Sequence, residues 1–331
     1  MTTVSGEKTA CVTGANGYVA SLLVKQLLDK GYNVHATVRD PGNQAKVSHL
    51  LSLTGSERLK LFRADLTVEG SFDDPINGCH FVFHVASPVI FDSEDPENEI
   101  IKPAVQGTLN VLRTCAKTKT VKRVVLTSST ATVRGCREEE SGRNLTEDNW
   151  SDVEFLLSEK PPFWAYSVSK TLAEKEAWKF AAENRIDLIS VVSVLVSGPS
   201  LTPEVPQTVI LALFLLMTDS EFRRKRQQQM TGSVSLVHVD DVCRAHIFLA
   251  EKDSASGRYI CSAVDTNVPE LAKFLSNRYP QHRVSTDFID VSSEKVSGEK
   301  LIKEGFTFKF GIEEIYDESV EYLMTKGLLP K

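Results

Sequence analysis

A doubly wound α/β fold, a parallel sheet covered by helices on both faces with a smaller C-terminal region appended, is what this sequence of 331 residues predicts. Three observations carry it. Strand-like and helix-like runs alternate over the first two thirds, with strands expected near 9–14, 33–39, 59–65, 80–86, 121–128 and 187–196. A glycine-rich turn joins the first strand to the first helix. Tyr166 and Lys170 stand four apart in an Ala-rich, helix-favouring run downstream of Ser129. Alternating βα units give parallel strands, because each crossover needs a helix to bring the chain back to the same edge of the sheet.

The first strand is the apolar run 9–13 (TACVT), and Gly14, Ala15, Asn16, Gly17, Tyr18, Val19 and Ala20 lead from it into the helical pattern Leu22, Leu23, Val24, Leu27, Leu28. Strand, tight turn and helix start are the context that the Rossmann-type dinucleotide fingerprint requires. Gly14 permits the sharp turn, Gly17 lets a pyrophosphate approach the backbone, and the helix N-terminus offers unpaired amides to phosphate. Thr13, Asn16, Tyr18 and Val19 are expected around the same phosphates. Ala20 stands where the last glycine of the fingerprint usually falls.

The second strand ends in Arg39, with Lys46 in the next helical stretch and no carboxylate at the strand tip. Arginine there suits the extra phosphate of NADP, whereas NAD sites usually place Asp or Glu for the ribose hydroxyls; Asp40 follows immediately and leaves some ambiguity. Asp65 and Leu66 close the third strand, with Asp65 expected against the adenine amino group. Val85 and Ala86 close the fourth, where small apolar residues let the adenosine half lie flat. Ser87, Thr127, Ser128, Ser193, Val194 and Val196, at or beyond later strand ends, complete the expected cofactor contacts.

Long helices are expected over 98–119 and 163–184. After residue 198 the rhythm breaks, and Pro199, Pro203 and Pro206 punctuate a loop before the apolar run 209–217. Short strands at 234–239 and 258–261 then mix with helices near 240–251, 268–278 and 312–326. Residues 1–198 are read as mainly the NADP-binding domain and 199–331 as mainly the substrate-binding region, with parts such as 234–251 able to return to the first.

A net charge of −6 argues against a nucleic-acid binder, since a phosphate backbone wants clustered cations. The basic cluster Arg223, Arg224, Lys225, Arg226 reads as a solvated face. Six cysteines (Cys11, Cys79, Cys115, Cys136, Cys243, Cys261) show no C-x-x-C pair, which suits reduced, mostly buried thiols of a cytoplasmic protein without a metal centre. The N-terminal residues 1–8 lack the apolar core of a secretory signal, and the nine-residue run 209–217 is too short to span a bilayer. No obligate protein partner is evident.

On a helix, positions four apart share a face, so Lys170 can sit beside the Tyr166 hydroxyl and favour its ionised form. The phenol then serves as a proton donor and acceptor. Ser129, at the end of the fifth strand, is placed to share the same oxygen. The trio alone cannot distinguish reduction of a carbonyl from reduction of a carbon–carbon double bond.

Several colinear blocks extend the pattern: 36–41 (ATVRDP), 63–66 (RADL), 83–88 (FHVASP), 93–102 (SEDPENEIIK), 127–129 (TSS), 166–175 (YSVSKTLAEK) and 238–250 (HVDDVCRAHIFLA). On these the chain resembles the extended short-chain dehydrogenase/reductase superfamily over nearly its whole length, and within it the plant flavonoid-reductase branch. The segments 254–261 (SASGRYIC) and 311–321 (GIEEIYDESVE) are nearest to its anthocyanidin-reducing group, with the dihydroflavonol-reducing group second. The resemblance implies NADPH-dependent reduction of a planar phenylpropanoid or flavonoid-type small molecule in plant specialised metabolism. It makes Tyr166 the general acid/base, Ser129 the partner that orients the substrate oxygen, and Lys170 the holder of the nicotinamide ribose. A styrylpyrone double bond and a dihydroflavonol ketone are the alternative substrates. An epimerase that retains NAD and a non-catalytic dinucleotide sensor are the alternatives of other classes.

The sequence departs from that branch where substrate and nicotinamide are expected. It has Ser193, Val194, Leu195 in place of Pro-Thr-Leu, and Arg134 where dihydroflavonol reductases carry an Asn thought to read the flavonoid B ring. The loop 135–149 carries Arg137, Glu138, Glu139 and Glu140 in a row, most simply a solvated surface. Substrate contacts are expected from Ser129, Arg134, Phe91, Phe163 and Tyr166. Pro88, Val89, Ile90, Trp164 and the run near Leu213 are further candidate walls.

Overall fold

A computed structural model describes residues 8–88, 93–135, 144–217, 233–286, 288 and 294–330. Val89, Ile90 and Phe91, the charged run Arg137 to Glu140, Cys136 and the basic cluster Arg223 to Arg226 lie outside the described residues.

The elements run β1 (Thr9–Val12), α1 (Tyr18–Asp29), β2 (Asn33–Val38), α2 (Gln44–Leu51), β3 (Leu59–Arg63), α3 (Asp73–Ile76), β4 (Phe81–His84), α4 (Lys102–Lys117), β5 (Arg123–Ser129), β6 (Asn144–Leu145), α5 (Val153–Glu159), α6 (Trp164–Asn184), β7 (Leu188–Ser193) and β8 (Leu195–Ser197). They continue through α7 (Gln207–Ala212), β9 (Ser233–His238), α8 (Val239–Glu251), β10 (Gly257–Cys261), β11 (Val264–Asn267), α9 (Val268–Arg278), β12 (Lys295–Val296), α10 (Glu299–Lys303) and α11 (Ile312–Thr325).

Seven strands form one sheet in the order β10-β7-β5-β4-β1-β2-β3, and every neighbouring pair is parallel. Their sequences are near-continuous apolar runs because helices cover both faces: all six residues of β7 are buried, as are Ala10, Cys11 and Val12 of β1. The chain winds outward from β1 to β3, returns, and starts the other half at β4. The crevice at the carboxyl ends of β1 and β4 is therefore the topological switch point, where open α/β sheets bind ligands.

Two elements differ from the sequence expectation for identifiable reasons. The long helix expected over 98–119 is a π-helical turn, Glu97–Ile101, feeding α4. Pro103 near the start of α4 has no N–H to give, so the regular hydrogen-bond ladder begins only after it. The strand expected over 187–196 breaks at Val194. β7 stays in the large sheet, while β8 leaves it to pair with β9 in a three-stranded sheet of order β11-β9-β8.

The later elements serve both parts of the molecule. Helix α8 returns to the large sheet, packing Val239, Val242, Ala245 and Leu249 into the same core as α1, and β10 extends that sheet beside β7. The run near Leu213 lies in a second core with α9 and α11, and Leu213 itself is fully buried there. Tyr18 joins the two cores: its ring packs against both, and its hydroxyl donates to the Gly198 carbonyl at 2.8 Å. Cys11, Cys79, Cys115, Cys243 and Cys261 are buried free thiols. Among the described residues, no helix is long and apolar enough to cross a membrane.

Asp241, wholly buried on α8, ties down the segment before α11. Its carboxylate accepts from the amides of Lys309 (3.1 and 3.0 Å) and Phe310 (3.1 Å) and pairs with Arg244. Asp241→Ala orphans those amides and a guanidinium, and is expected to cost about 3 kcal/mol of stability, read as a lower denaturant midpoint with unchanged slope.

Candidate active site

At the switch point, Thr13 locks the ends of β1 and β4 together. Its Oγ1 accepts from the amides of Val85 (3.0 Å) and Ala86 (2.9 Å) and lies 3.0 Å from His84 Nδ1. With both lone pairs occupied, the hydroxyl must donate to Nδ1, so the His84 proton sits on Nε2, facing Thr108 Oγ1 at 3.3 Å. Burial, with the nearby Lys170 charge, pushes the imidazole down to about 3, and it stays neutral.

Gly14 follows at φ +65°, and a Cβ there would lie 3.0 Å from the Ala86 Cβ. The turn is pinned by Ala15 N to Thr37 O (2.8 Å) and Gly14 N to Thr37 Oγ1 (3.2 Å). Gly17 caps α1 without a side chain, and no acid stands in the first turn, so the amides after it remain open to an anion. A positive-φ glycine pressed against the next strand and an uncapped helix end fit a dinucleotide pyrophosphate, with Asn16, Tyr18 and Val19 around it. Gly14→Ala is expected to weaken nicotinamide dinucleotide binding about tenfold, by strained φ and by pushing on Ala86, in a fluorescence titration of the folded protein with the reduced cofactor.

Arg39 lies exposed just beyond β2, and Lys46 lies exposed in the first turn of α2. The Asp40 carboxylate is turned back onto its own loop, accepting from the Gly42 amide at 3.0 Å. Asp65 accepts from the amide (2.9 Å) and hydroxyl (2.7 Å) of Thr67. These bonds, helped by the charges of Arg39 and Arg63, hold its carboxyl below the usual range and therefore ionised. Leu66 packs over Gly107, and its carbonyl accepts from Asn110 at 2.8 Å. Val85, Ala86 and Ser87 are half-buried along the crevice.

Strand β5 delivers Ser129 to the same edge, where its Oγ accepts from the Ala131 amide (3.2 Å) and starts a short 3-10 turn, Thr130–Thr132. The Tyr166 phenol is hydrogen-bonded to the Ser129 side chain, and Lys170, one turn further along α6, is buried with its Nζ donating to the Thr127 carbonyl at 3.0 Å. The three residues picked out by spacing thus converge at the carboxyl end of β5.

The electrostatics differ from the expectation that Lys170 ionises the phenol. Burial raises Tyr166 above the ordinary phenol value, opposed only in part by the Ser129 bond. Burial also pulls Lys170 down to about 8, opposed by the Glu174 charge. Near pH 7 the site therefore holds a neutral phenol and an ammonium, and the neutral phenol is the form that can give a proton.

The neighbours are equally defined. His246 Nδ1 faces the Val242 carbonyl (2.7 Å), which can only accept, so its Nε2 takes the Thr127 hydroxyl proton at 2.8 Å. Ser193 pairs with Ser129 in the ladder and donates to the Ser128 carbonyl at 3.1 Å. Val194 and Val196 are buried where the chain passes from one sheet to the other. Phe163, immediately before α6, is held at φ +65°. Arg134 donates to Ser233 (3.1 Å) and Ser235 (2.7 Å) and so ties the turn after Ser129 to β9. Sequence reasoning missed Glu174 and Arg258, which meet beside Lys170. Glu174 was within reach, one helical turn past Lys170; Arg258 carried no local signal.

The family model for the NAD dependent epimerase/dehydratase family matches residues 10–261. The anthocyanidin reductase ((2S)-flavan-3-ol-forming) of Vitis vinifera is 62% identical over 330 residues, covering 98% of this chain and 97% of that protein. Vestitone reductase from alfalfa (Medicago sativa L.) superposes with a TM-score of 0.85 at 35% identity, covering 98% of this chain and 100% of that one. Gre2 from Candida albicans, solved in complex with NADPH, superposes with a TM-score of 0.82 at 28% identity, covering 96% and 99%.

Fold and site together define an oxidoreductase that uses a nicotinamide dinucleotide. The chain belongs to the NAD dependent epimerase/dehydratase family, the extended branch of the short-chain dehydrogenases and reductases.

Proposed function

We propose that this chain is an NADPH-dependent reductase of a planar flavonoid-type compound, of the anthocyanidin-reducing kind. The observation that carries the reading is the neutral Tyr166 phenol bonded to Ser129, with the charged Lys170 one turn away, at the same sheet edge as the glycine turn. The similarity to anthocyanidin reductase over nearly the whole chain supports the substrate class.

Thr13 to Val19 would hold the pyrophosphate, Arg39 and Lys46 the additional ribose phosphate, Asp65 and Leu66 the adenine, and Lys170 the nicotinamide ribose. Bound NADPH would supply a hydride, and because a flavylium cation becomes a flavan-3-ol only by gaining two hydrides and one proton, two NADPH would be used in turn for each molecule of that substrate. Ser129 and Tyr166 donate hydrogen bonds to the substrate oxygen, so negative charge building there is met by prearranged donors. Tyr166 then gives its proton to that oxygen or, in a conjugated substrate, to the carbon that becomes basic. The Lys170 ammonium stabilises the phenolate left behind, and Thr127 fixes its position by the carbonyl bond at 3.0 Å. The buried free thiols support placing the protein in a reducing cytoplasm.

The test incubates purified protein with NADPH and a panel of cyanidin, dihydroquercetin, naringenin and an unsaturated styrylpyrone, with products identified by mass and chirality. Turnover of cyanidin to a flavan-3-ol is expected. Turnover of another member alone moves the substrate and assigns Arg134 and Ser193 to the change; no cofactor oxidation with any member overturns the reading.

A further inference from the structure

Beside Lys170 lies a charge pair that the chemistry above does not use, and its carboxylate, Glu174, lines one small cavity with Lys170 and with Ala86 and Ser87 of the crevice. Glu174 follows Lys170 by one turn of α6 and is 1% exposed; Arg258, on the edge strand β10, is 7% exposed. Arg258 Nε donates to one Glu174 oxygen at 2.9 Å and Nη2 to the other at 3.3 Å. Every other guanidinium donor direction is filled: Nη2 also reaches Thr132 Oγ1 (2.8 Å), and Nη1 reaches the carbonyls of Glu147 and Asn149 (2.7 Å each). The guanidinium also stacks on Trp150, 3.7 Å from the ring centre. Glu174 in turn accepts from Ser128 Oγ at 2.6 Å and from Trp178 Nε1 at 3.4 Å.

The two ends of this network bracket Ser129. Ser128 precedes it on β5, and Thr132 closes the turn that follows it. Glu174 is also on the helix that carries Tyr166 and Lys170, and it shares a small cavity with Lys170, Thr127 and Ser128. Burying two charges is costly, and a well-packed apolar pair would fill the space as well, so a core-filling role does not by itself account for them.

We propose that Glu174, clamped by Arg258, is a positioning residue of the reductase: it fixes Ser129 from both sides relative to the Tyr166 helix and sets a carboxylate beside the Lys170 ammonium. The inference rests on the roles given to Ser129, Tyr166 and Lys170 above. Lys170 is faced by Tyr166 and Glu174 from its own helix, by neutral His84 from β4, and through Thr127 by neutral His246 from α8. Glu174 is thus the one anion acting on it among the described residues. Without that anion, burial acts on Lys170 unopposed, and the ammonium is lost at lower pH.

The experiment compares wild type, Glu174→Gln and Glu174→Asp by the pH dependence of kcat and KM, and by NMR titration of Lys170 in protein carrying 13C-labelled lysine, the resonance assigned by its loss in Lys170→Arg. Glu174→Gln is expected to lower kcat about tenfold through a loosened Ser129, to change KM for NADPH little, and to move the Lys170 midpoint to lower pH. Glu174→Asp, which keeps the charge, is expected to restore the midpoint. A folded Glu174→Gln protein with wild-type kcat and an unmoved midpoint would make the pair a core staple and nothing more. If Glu174→Gln does not fold because Arg258 is stranded, the double variant Glu174→Gln with Arg258→Gln removes the stranded guanidinium and is read in the same way. If wild type reduces no member of the panel, the proposed function fails, while the Lys170 midpoint still decides the clamp.

Discussion

Tyr166→Phe is expected to lower turnover by about two or more orders of magnitude and to leave NADPH binding near the wild-type level. Phenylalanine keeps the ring and its packing beside Ser129, so what is lost is the hydroxyl and its proton. The loss falls on kcat, because Ser129 and the crevice remain to bind substrate and cofactor. Equal losses of cofactor binding and turnover would remove Tyr166 from the chemistry and make it a packing residue. The pH profile is an independent check. Burial holds the phenol above its ordinary value, so Tyr166 stays protonated throughout the working range. Lys170, pulled down to about 8, is charged below that pH and neutral above it. In the free enzyme the alkaline loss of activity is therefore expected near pH 8, not near 10, and to follow Lys170. The same shift has a stability consequence of opposite sense. Between about 8 and the ordinary lysine value the unfolded chain binds the extra proton, so Lys170 makes the fold more stable as pH rises through that window.

The convergence behind this prediction was legible in the sequence because each part had a local signature. Tyr166 and Lys170 share a helix face by spacing, the Gly14 turn sits between a strand and a helix, and parallel strands buried on both faces show as apolar runs. Long-range choices left no such mark. Val194 to Val196 continue the apolar pattern of β7, and only pairing with β9, some forty residues on, draws them into the other sheet. The tautomers of His84 and His246 are set by hydroxyls and carbonyls that only the fold brings near. The Glu174 carboxylate could have been suspected from its place after Lys170, but its partner stands 84 residues away. The depressed Lys170 and raised Tyr166 were likewise invisible, because spacing reports proximity and not burial, and burial decides both shifts.

The second large effect is expected at Arg39, whose replacement by Glu should turn the proposed preference for NADPH over NADH toward NADH. Beyond β2 the exposed cations are Arg39 and Lys46, and the neighbouring carboxylate, Asp40, accepts from the Gly42 amide through one of its oxygens. A guanidinium on a phosphate makes a charge-assisted, two-pronged contact worth about 1.5 to 3 kcal/mol, which corresponds to roughly 10- to 150-fold in kcat/KM for NADPH. Glutamate removes that contact, repels the phosphate, and offers an acceptor to the ribose hydroxyls of NADH, so the ratio of the two cofactors moves by more than the single loss. Because the site faces solvent, the NADPH preference of the wild type is also expected to weaken as salt rises, while NADH use changes less. Measuring kcat/KM for both cofactors at two salt concentrations, in wild type and Arg39→Glu, separates the possibilities. An unchanged ratio would take the phosphate contact away from Arg39 and leave Lys46 to carry it. A wild type that carries a tightly retained NAD through purification and releases no oxidised NADPH would instead return the chain to the epimerase chemistry that shares its fold.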